Sequence, residues 1–348
     1  MKERLPPRYI LKTGQERCYH VDGNIIPCSA TGQDGEYQVG VEIPCSRFGL
    51  EGQVVFDNLT GLTWTRDANI NTFPMSWKEG FAFLHELNKD NYGGYSDWRM
   101  PNRRELRSLL HMETMNPVLP SGHPFINVFH GWYWTSTTAA INRSYAWYIH
   151  LGGARMFYGR KDQECIVWPV RGDSRLIPAT GQKSCFDVIG RVIPCAATCQ
   201  DGEFKTGVAW PEPRFTGKGQ VVFDNLTGLA WTRDADLGQG LISWLDAFGI
   251  VRNLNTKRLG GLGDWRLPNI NELESLVDCQ HHSPALPKGH PFVNVQEFYW
   301  SSTTSFFEPT WSWALYLQKG AIGVGLKKGR HFHCWAVRSG LGDRIRKR

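Results

Sequence analysis

The feature that most constrains the fold of this chain is a long internal duplication. The nine residues Val54–Leu62 recur, with the same residue types in the same order, at 221–229, an offset of 167 residues. Other motifs keep this offset: Asp-Trp-Arg at 97 and 264, His-Pro-Phe at 123 and 290, and the tryptophans Trp168 and Trp335. Solenoid repeats have shorter periods, roughly 20 to 50 residues. The sequence therefore predicts two tandem copies of a complete domain, at 1–172 and 173–340, with a basic tail at 341–348.

Helix-start signals and strand patterns occur at matching places in both copies. Ser76 with Glu79 three residues later forms a capping-box pattern, which predicts a helix to about Asn88. Asn102 with Glu105 predicts a second helix, and Asn269 with Glu272 repeats this signal in the second copy. The segments that follow predict strands at 133–138, 144–151, 155–158 and 166–171. Two helices followed by a curled antiparallel sheet give each copy an α+β fold.

Arg99 precedes the second predicted helix, in the run Asp97-Trp98-Arg99-Met100-Pro101-Asn102. One interpretation is an anion-binding turn, in which the guanidinium group faces a sulfate or carboxylate ligand. The favoured interpretation is structural. In it, Arg99 pairs with a carboxylate near the helix start, and Asn102 caps the helix.

Composition and charge exclude several classes of protein. Apolar residues make up 41% of the chain and charged residues 21%, which is typical of a globular protein. No run of eighteen apolar residues occurs, so the sequence predicts no membrane span. Residues 173–348 carry +5 of the formal net charge of +6. The chain without its tail is nearly neutral and has no recognised nucleic-acid-binding module, which argues against a nucleic-acid partner. We interpret the basic tail as solvated.

Several motifs, taken in order, resemble those of one known family. They are Thr-Gly-Gln…Cys…Ile-Pro-Cys, Asp-Asn-Leu-Thr-Gly-Leu-x-Trp-Thr-Arg-Asp, Gly-Gly-x-x-Asp-Trp-Arg-x-Pro-Asn-x-x-Glu-Leu, Tyr-Trp-(Thr/Ser)-Ser-Thr-Thr and a final Val-Arg. The set resembles the Lcl C-terminal domain family, named after the end domain of a collagen-like bacterial adhesin. The resemblance covers nearly all of both copies and implies two tandem C-type-lectin-like domains, similar also to formylglycine-generating enzymes.

Folds of this kind host lectins, adhesins, phage receptor-binding proteins and enzymes, so the resemblance implies fold more specifically than function. The calcium-lectin motifs Glu-Pro-Asn, Gln-Pro-Asp and Trp-Asn-Asp do not occur in the matching places. No paired-cysteine active site recurs in both copies. Neither calcium-dependent sugar binding nor formylglycine chemistry is therefore expected.

Tryptophan is abundant, with fifteen residues. Large rings dominate packing energy, so we predict that tryptophans retained in both copies form a shared core. Trp132 aligns with Phe298 of the second copy, and Trp311 aligns with Tyr145 of the first. Because these positions keep an aromatic ring but not a tryptophan, Trp132 and Trp311 are our first candidates for stacking on a ligand. The six retained pairs are Trp64/Trp231, Trp77/Trp244, Trp98/Trp265, Trp134/Trp300, Trp147/Trp313 and Trp168/Trp335.

Basic residues lie near these aromatics on the late strands of both copies. Cations beside exposed rings suit a sulfated or acidic polysaccharide, because ion pairing and stacking act together. The alternative interpretation is a solvated hairpin. The candidate ligand-binding cations are Arg155, Arg160 and Lys161 in the first copy, and Lys327, Lys328 and Arg330 in the second.

Nine cysteines are more than a cytosolic protein of this size typically carries, and they indicate an oxidising compartment. The N-terminus lacks the apolar stretch of a signal peptide, which we interpret as a leader already removed. The equal spacing of Cys18 and Cys28, and of Cys185 and Cys195, predicts two disulfides that each close a small loop. Three cysteines have no cysteine counterpart in the other copy: Cys45, Cys165 and Cys199.

Cys279 and Cys334 correspond to Met112 and Val167 of the first copy. The joint change of two apolar positions into cysteines predicts that they touch, and hence a third disulfide. A metal site is the alternative, because histidines flank both cysteines. The flanking histidines are His281, His282, His331 and His333.

We therefore predict a secreted or cell-surface binding protein without catalytic residues, cofactor or metal ligands. Its expected partner is an acidic polysaccharide or an envelope protein, and homo-oligomerisation stays open. The alternative is a structural or assembly subunit of an envelope complex, filament or appendage. An enzyme is not predicted, because no nucleophile–base or carboxylate pair recurs in both copies.

Overall fold

The structure is a computed structural model that describes residues 8–339, so the predicted basic tail at 341–348 lies outside the described residues. In the first sequence copy the helices are α1 (Asp34–Tyr37), α2 (Trp77–Lys89) and α3 (Arg103–Arg107). The strands are β1 (Cys18–Tyr19), β2 (Ile25–Ile26), β3 (Phe48–Glu51), β4 (Val54–Asp57), β5 (Thr63–Thr65), β6 (Trp132–Thr138), β7 (Tyr145–His150), β8 (Met156–Arg160) and β9 (Val170–Arg171).

The second copy repeats this order of elements. Its helices are α4 (Asp201–Phe204), α5 (Trp244–Thr256) and α6 (Ile270–Ser275). Its strands are β10 (Cys185–Phe186), β11 (Val192–Ile193), β12 (Phe215–Lys218), β13 (Val221–Asp224), β14 (Leu229–Thr232), β15 (Phe298–Thr304), β16 (Trp311–Tyr316), β17 (Ala321–Leu326) and β18 (Val337–Ser339). Both two-helix patterns are present, and each copy has one further short helix, α1 or α4, near its start.

The chain packs into two compact units that cut across the sequence copies. Unit A holds the described residues up to Glu42, Trp210–Val277 and the described residues from Ser283 on. Unit B holds Ile43–Ala209 and Asp278–His282. The copy boundaries at 172 and 173 remain a prediction about the duplication, whereas the units describe how the chain packs.

Each unit combines the body of one copy with the first segment of the other. In unit A, residues 8–42, here called segment A, pack with body A, the unit's residues from Trp210 on. In unit B, residues 173–209, segment B, pack with body B, residues 43–172. Duplication in the sequence therefore does not by itself say which segment completes which body.

The sheets of both units are antiparallel. In unit B, β3, β4, β5 and β9 pair in that order, β6, β7 and β8 form a meander, and β10 and β11 form a hairpin. In unit A, β12, β13, β14 and β18 pair in that order, β15, β16 and β17 form the meander, and β1 and β2 the hairpin. Helices at the side of antiparallel sheets make each unit an α+β structure.

The predicted capping boxes form and fix where the main helices begin. The Ser76 side chain accepts from the backbone N–H of Glu79, and the Glu79 carboxylate accepts from the N–H of Ser76. Asn102 and Asn269 cap α3 and α6 in the same way. These side chains satisfy backbone donors that the first helical turn leaves unpaired.

Arg99 has the structural role that was favoured. Its guanidinium group donates to both carboxylate oxygens of Glu105, each at 2.7 Å, and both side chains are buried. Arg266 pairs with Glu272 in the same way in unit A. The arginine therefore braces the helix start and is not directed at a ligand.

The predicted tryptophan core is confirmed. All twelve retained tryptophans are at most 3% exposed. In unit B, the rings of Trp64 and Trp168 meet edge to face at 5.5 Å, and Trp231 and Trp335 meet at 5.2 Å in unit A. No helix within residues 8–339 has the length and apolar character needed to cross a membrane.

Candidate functional site

Trp132 lies at the start of β6 and belongs to a partly exposed aromatic surface of unit B. Its ring centroid lies 4.2 Å from that of Tyr148 and 4.8 Å from that of His150, both on the neighbouring strand β7. The pairing of Trp132 opposite His150 in the β6–β7 register brings these rings together. All three side chains are half-buried. We call Trp132, Tyr148 and His150 the aromatic ledge.

A glycine makes room for the ledge. Gly159 lies on β8, and a Cβ atom added to it would lie 2.3 Å from Cε1 of Tyr148. A larger residue at this position would push the Tyr148 ring away, because aromatic carbons cannot approach so closely. Sequence reasoning identified Trp132 but missed Tyr148, His150 and Gly159, because their convergence depends on strand register.

One predicted cation, Arg155, borders the ledge. Arg155 is exposed, and its backbone carbonyl accepts a hydrogen bond from the N–H of His150 at 2.9 Å. Burial, and then the charges of Arg155 and His130, lower the pKa of His150. The neutral imidazole is therefore favoured at neutral pH, which leaves the guanidinium of Arg155 as a fixed positive charge at this surface.

The corresponding place in unit A is apolar. Phe298 stands where the first copy has Trp132, and its ring lies 5.3 Å from that of Tyr316. The buried Phe332 packs against both rings and belongs to the core of unit A. Trp311, the second predicted stacking residue, is half-buried at the start of β16, and the structure does not place it in this ring cluster.

Two predicted ligand-binding lysines are buried, and the prediction is corrected for both. Lys327 is 0% exposed, and its ammonium group lies 4.2 Å from the ring centroid of Trp244 and 5.7 Å from that of Tyr19. It also donates to the backbone carbonyl of His20 at 3.5 Å. Segment A thus packs against this lysine, which the local run of basic residues could not reveal.

Lys161 occupies the equivalent place in unit B. It is 1% exposed, and its ammonium group lies 4.0 Å from the ring centroid of Trp77. It donates to the backbone carbonyls of Phe186 and Asp187, each at 3.2 Å. Burial lowers the pKa of Lys161 and of Lys327 to about 7. Neither amine is available to a ligand at the surface.

The remaining predicted cations are exposed but have local partners. Arg160 donates to the carboxylate of Asp162 at 3.0 Å, and Lys328 pairs with Asp22. Arg330 donates to the backbone carbonyl of Leu241 at 3.2 Å. The structure shows no contact of Arg160, Lys328 or Arg330 with the aromatic ledge. Of the predicted cations, Arg155 contacts the ledge, through its backbone hydrogen bond with His150.

A buried aspartate joins each segment to its body. In unit A, Oδ2 of Asp34 accepts from the hydroxyls of Thr13 and Thr303, each at 2.7 Å. In unit B, Asp201 accepts from the hydroxyl of Thr137 at 2.6 Å. Burial raises the pKa of both aspartates to about 6. Sequence reasoning gave these aspartates no role, since an isolated Asp carries no pattern.

The structure confirms two disulfides and overturns the third. Cys18–Cys28 closes the β1–β2 hairpin, and Cys185–Cys195 closes the β10–β11 hairpin. Cys279 and Cys334 are buried thiols outside any disulfide. Cys334 belongs to unit A, where its thiol donates to the carbonyl of Ala247 at 3.8 Å, whereas Cys279 belongs to unit B. Each therefore serves as a small core residue in its own unit.

The histidines near these cysteines pair with single carboxylates. His333 lies 3.0 Å from Asp236, and His281 lies 2.8 Å from Asp278. Within the part of the chain that the structure describes, no group of three or more His, Cys, Asp or Glu side chains is placed to hold a metal ion.

A small groove in unit A separates α1 from α5. Its volume is about 90 Å³, room for a few water molecules. Glu36 lines it but already accepts from the backbone N–H groups of Ala30 and Gly32, at 2.8 and 2.7 Å. Asn255 lines it too and is bonded to the backbone of Trp265. Both of these polar side chains are thus engaged in holding the fold.

Comparison with known families gives one match, found twice. The Lcl C-terminal domain matches residues 53–171 and 220–338. The first match contains the aromatic ledge and Lys161, and the second contains Lys327. No curated protein matches the chain.

Proposed function

Because this chain belongs to the Lcl C-terminal domain family, with two copies in tandem, we propose that it is a non-catalytic binding protein that recognises acidic or sulfated glycan. The family is non-enzymatic and indicates a surface or adhesin-like role. Two disulfides support a secreted or cell-surface location, since such bonds persist in oxidising compartments. The proposal includes a C-type-lectin-like fold for each unit.

The aromatic ledge of unit B carries the glycan part of this proposal. We infer that the accessible part of the half-buried Trp132 ring, held against Tyr148 in a restricted orientation, suits the C–H face of a sugar ring. Because packing already restricts the tryptophan, little side-chain freedom is lost on binding. Arg155 can donate two parallel hydrogen bonds to a sulfate or carboxylate group.

Other residues named from the sequence are proposed as weaker contributors. Trp311 supplies a second half-buried indole, and Arg160, Lys328 and Arg330 supply exposed cations. Their carboxylate and carbonyl partners reduce the attraction of each cation for a polyanion, because the existing partner and the new ligand compete for the same positive charge.

Calorimetric titration of the full chain with heparin and with alginate tests the proposal. We expect Trp132→Ala to weaken binding at least about tenfold, equivalent to 1.4 kcal/mol, and Arg155→Ala to make the affinity less dependent on salt. Arg175→Ala, at an exposed arginine of unit B that the proposal does not use, is the matched control and should change little. EDTA should have no effect. The proposal fails if neither polysaccharide binds, or if Trp132→Ala leaves their affinity unchanged.

One observation favours the alternative of an assembly subunit. The disulfide-closed β10–β11 hairpin exposes Ile189 by 64% and Val192 by 63%. A covalently fixed apolar tip suits a protein partner more than a sugar. In this alternative, Ile189→Asp abolishes a salt-insensitive, concentration-dependent complex that light scattering detects, and heparin has no effect on it.

A further inference from the structure

Segment A reaches its body from far away along the chain. The side-chain carbonyl of Gln15 accepts from the N–H of Thr304 at 2.8 Å, and its amide donates to the carbonyl of Thr304 at 2.9 Å. Next to this pair, Asp34 accepts from Thr303. The side-chain amide of Asn271 donates to the carbonyl of Leu11 at 2.9 Å. These are specific contacts of a short segment with strand β15 and helix α6 of body A, and those with Thr303 and Thr304 are buried.

Segment B makes the equivalent contacts with body B. Gln182 accepts from the N–H of Thr138 at 2.9 Å and donates to its carbonyl at 2.8 Å, and Asp201 accepts from Thr137. Segment B follows body B directly in the chain, whereas all of Ile43–Ala209 separates segment A from body A. The docking chemistry is therefore the same in both units, while the chain connection differs.

We infer that segment A is exchangeable: it also docks on body A of a second copy of this chain, so that copies assemble through their segments. Exchange of an identical element needs no new interface, because every contact of segment A with body A forms equally well between two chains. Docking within one chain is favoured at low concentration by the tether, and docking between chains at high concentration. This inference goes beyond glycan binding and does not depend on it.

Complementation between two defective full-length chains tests the exchange. Gln15→Ala with Asp34→Ala disables segment A and leaves body A intact. Thr303→Asp disables body A, because its carboxylate would face that of Asp34, and leaves segment A intact. We expect an equimolar mixture to form a one-to-one pair, detected by light scattering and native mass spectrometry, that neither variant forms alone. Each variant alone, at the total protein concentration of the mixture, is the control.

A second measurement uses the unaltered protein and does not require the variants to fold. Chains refolded from denaturant at about tenfold higher concentration should show a dimer-to-monomer ratio about tenfold higher, because exchange is bimolecular. Asp34→Ala with Gln15→Ala should remove that rise. The inference is wrong if the mixture of folded variants stays monomeric, or if the unaltered chain refolds as monomer at every concentration.

Discussion

The ammonium group of Lys327 lies 4.2 Å from the ring centre of Trp244, and Lys161 stands in the same relation to Trp77, at 4.0 Å. In each unit the lysine also donates to backbone carbonyls of the disulfide-closed hairpin. A cation on an indole face gains electrostatic attraction but loses its hydration. Burial lowers the pKa of both lysines, so the loss of hydration favours the neutral amine in the folded state.

Lys327→Met should stabilise unit A at neutral pH by about 2–4 kcal/mol, because methionine fills a similar volume without a desolvated charge. In the unaltered protein, the folded state releases the lysine proton near pH 7, while the unfolded chain keeps it to about 10.5. The unaltered protein therefore gains stability as the pH rises from 7 towards 10.5. Urea unfolding across this range should show the advantage of the variant shrinking.

The exposed neighbour provides the control for this prediction. Lys328→Met should leave the free energy of unfolding within about 0.5 kcal/mol of the unaltered protein at every pH, as exposed ion pairs contribute little. If the difference in free energy of unfolding between Lys327→Met and the unaltered protein stays constant from pH 7 to 10, burial does not lower the pKa of Lys327.

Asp34→Asn should make unit A less sensitive to pH. Because burial raises the pKa of Asp34 from 3.8 to about 6, its protonated form stabilises the fold below pH 4, and this contribution is lost as the pH rises through 6. Asparagine stays neutral and still accepts from Thr13 and Thr303. The free energy of unfolding of the variant should therefore exceed that of the unaltered protein by about 2–3 kcal/mol near pH 7 and by little near pH 4.

Unfolding curves at about pH 4, 5, 6 and 7 provide the measurement. Asp201→Asn is the matched variant in unit B, where the pKa of Asp201 is raised to the same value. An Asp34→Asn effect that is equal at pH 4 and pH 7 would contradict the assignment of a raised pKa.

Glycine-to-alanine changes in the two long helices should have opposite signs. In α2, a Cβ atom at Gly80 would lie 2.8 Å from Cε of Met100 and 2.9 Å from Cγ2 of Val167. In α5, the nearest atom to such a Cβ at Gly249 is 3.9 Å away. Thermal unfolding should show Gly80→Ala destabilising by about 1–3 kcal/mol and Gly249→Ala stabilising by about 0.5–1 kcal/mol. Equal effects of the two changes on stability would mean that the side chains of Met100 and Val167 move aside without a measurable cost.

Thiol reactivity should separate the cysteines by exposure. Cys45 and Cys199 are exposed and should react with a thiol reagent in the native, unreduced protein. Cys165 and Cys334 should react only after unfolding, because they are buried and burial raises the pKa of each thiol to about 12. A reaction of Cys199 only after unfolding, or a reaction of Cys334 in the native protein, would contradict this order.

Much of the fold could be predicted from the sequence because its signals are local or duplicated. The pattern of Ser76 with Glu79 locates the start of α2, and retention of Trp64 as Trp231 identifies a core residue in both bodies. Both small disulfide loops follow from equal cysteine spacing. Each of these inferences needs only neighbouring residues, or the comparison of one copy with the other.

Properties that depend on distant residues could not be predicted. From the sequence, Lys327 is predicted to be an exposed cation, because the hairpin that covers it lies about 300 residues away along the chain. The ledge formed by Trp132 and His150 depends on β6–β7 register. The change of Met112 and Val167 into Cys279 and Cys334 suggested a bond, but each cysteine fills a core in a different unit.

The position of segment A ahead of body B in the chain affects the order in which the two units can close. As the ribosome releases the nascent chain in order, body B and segment B emerge together and can close almost completely once Ala209 is out. Segment A emerges before both bodies and cannot dock until the strand that contains Thr303 and Thr304 has followed. Until then the side chains of Asp34 and Gln15 lack their partners on β15, so unit A closes after unit B.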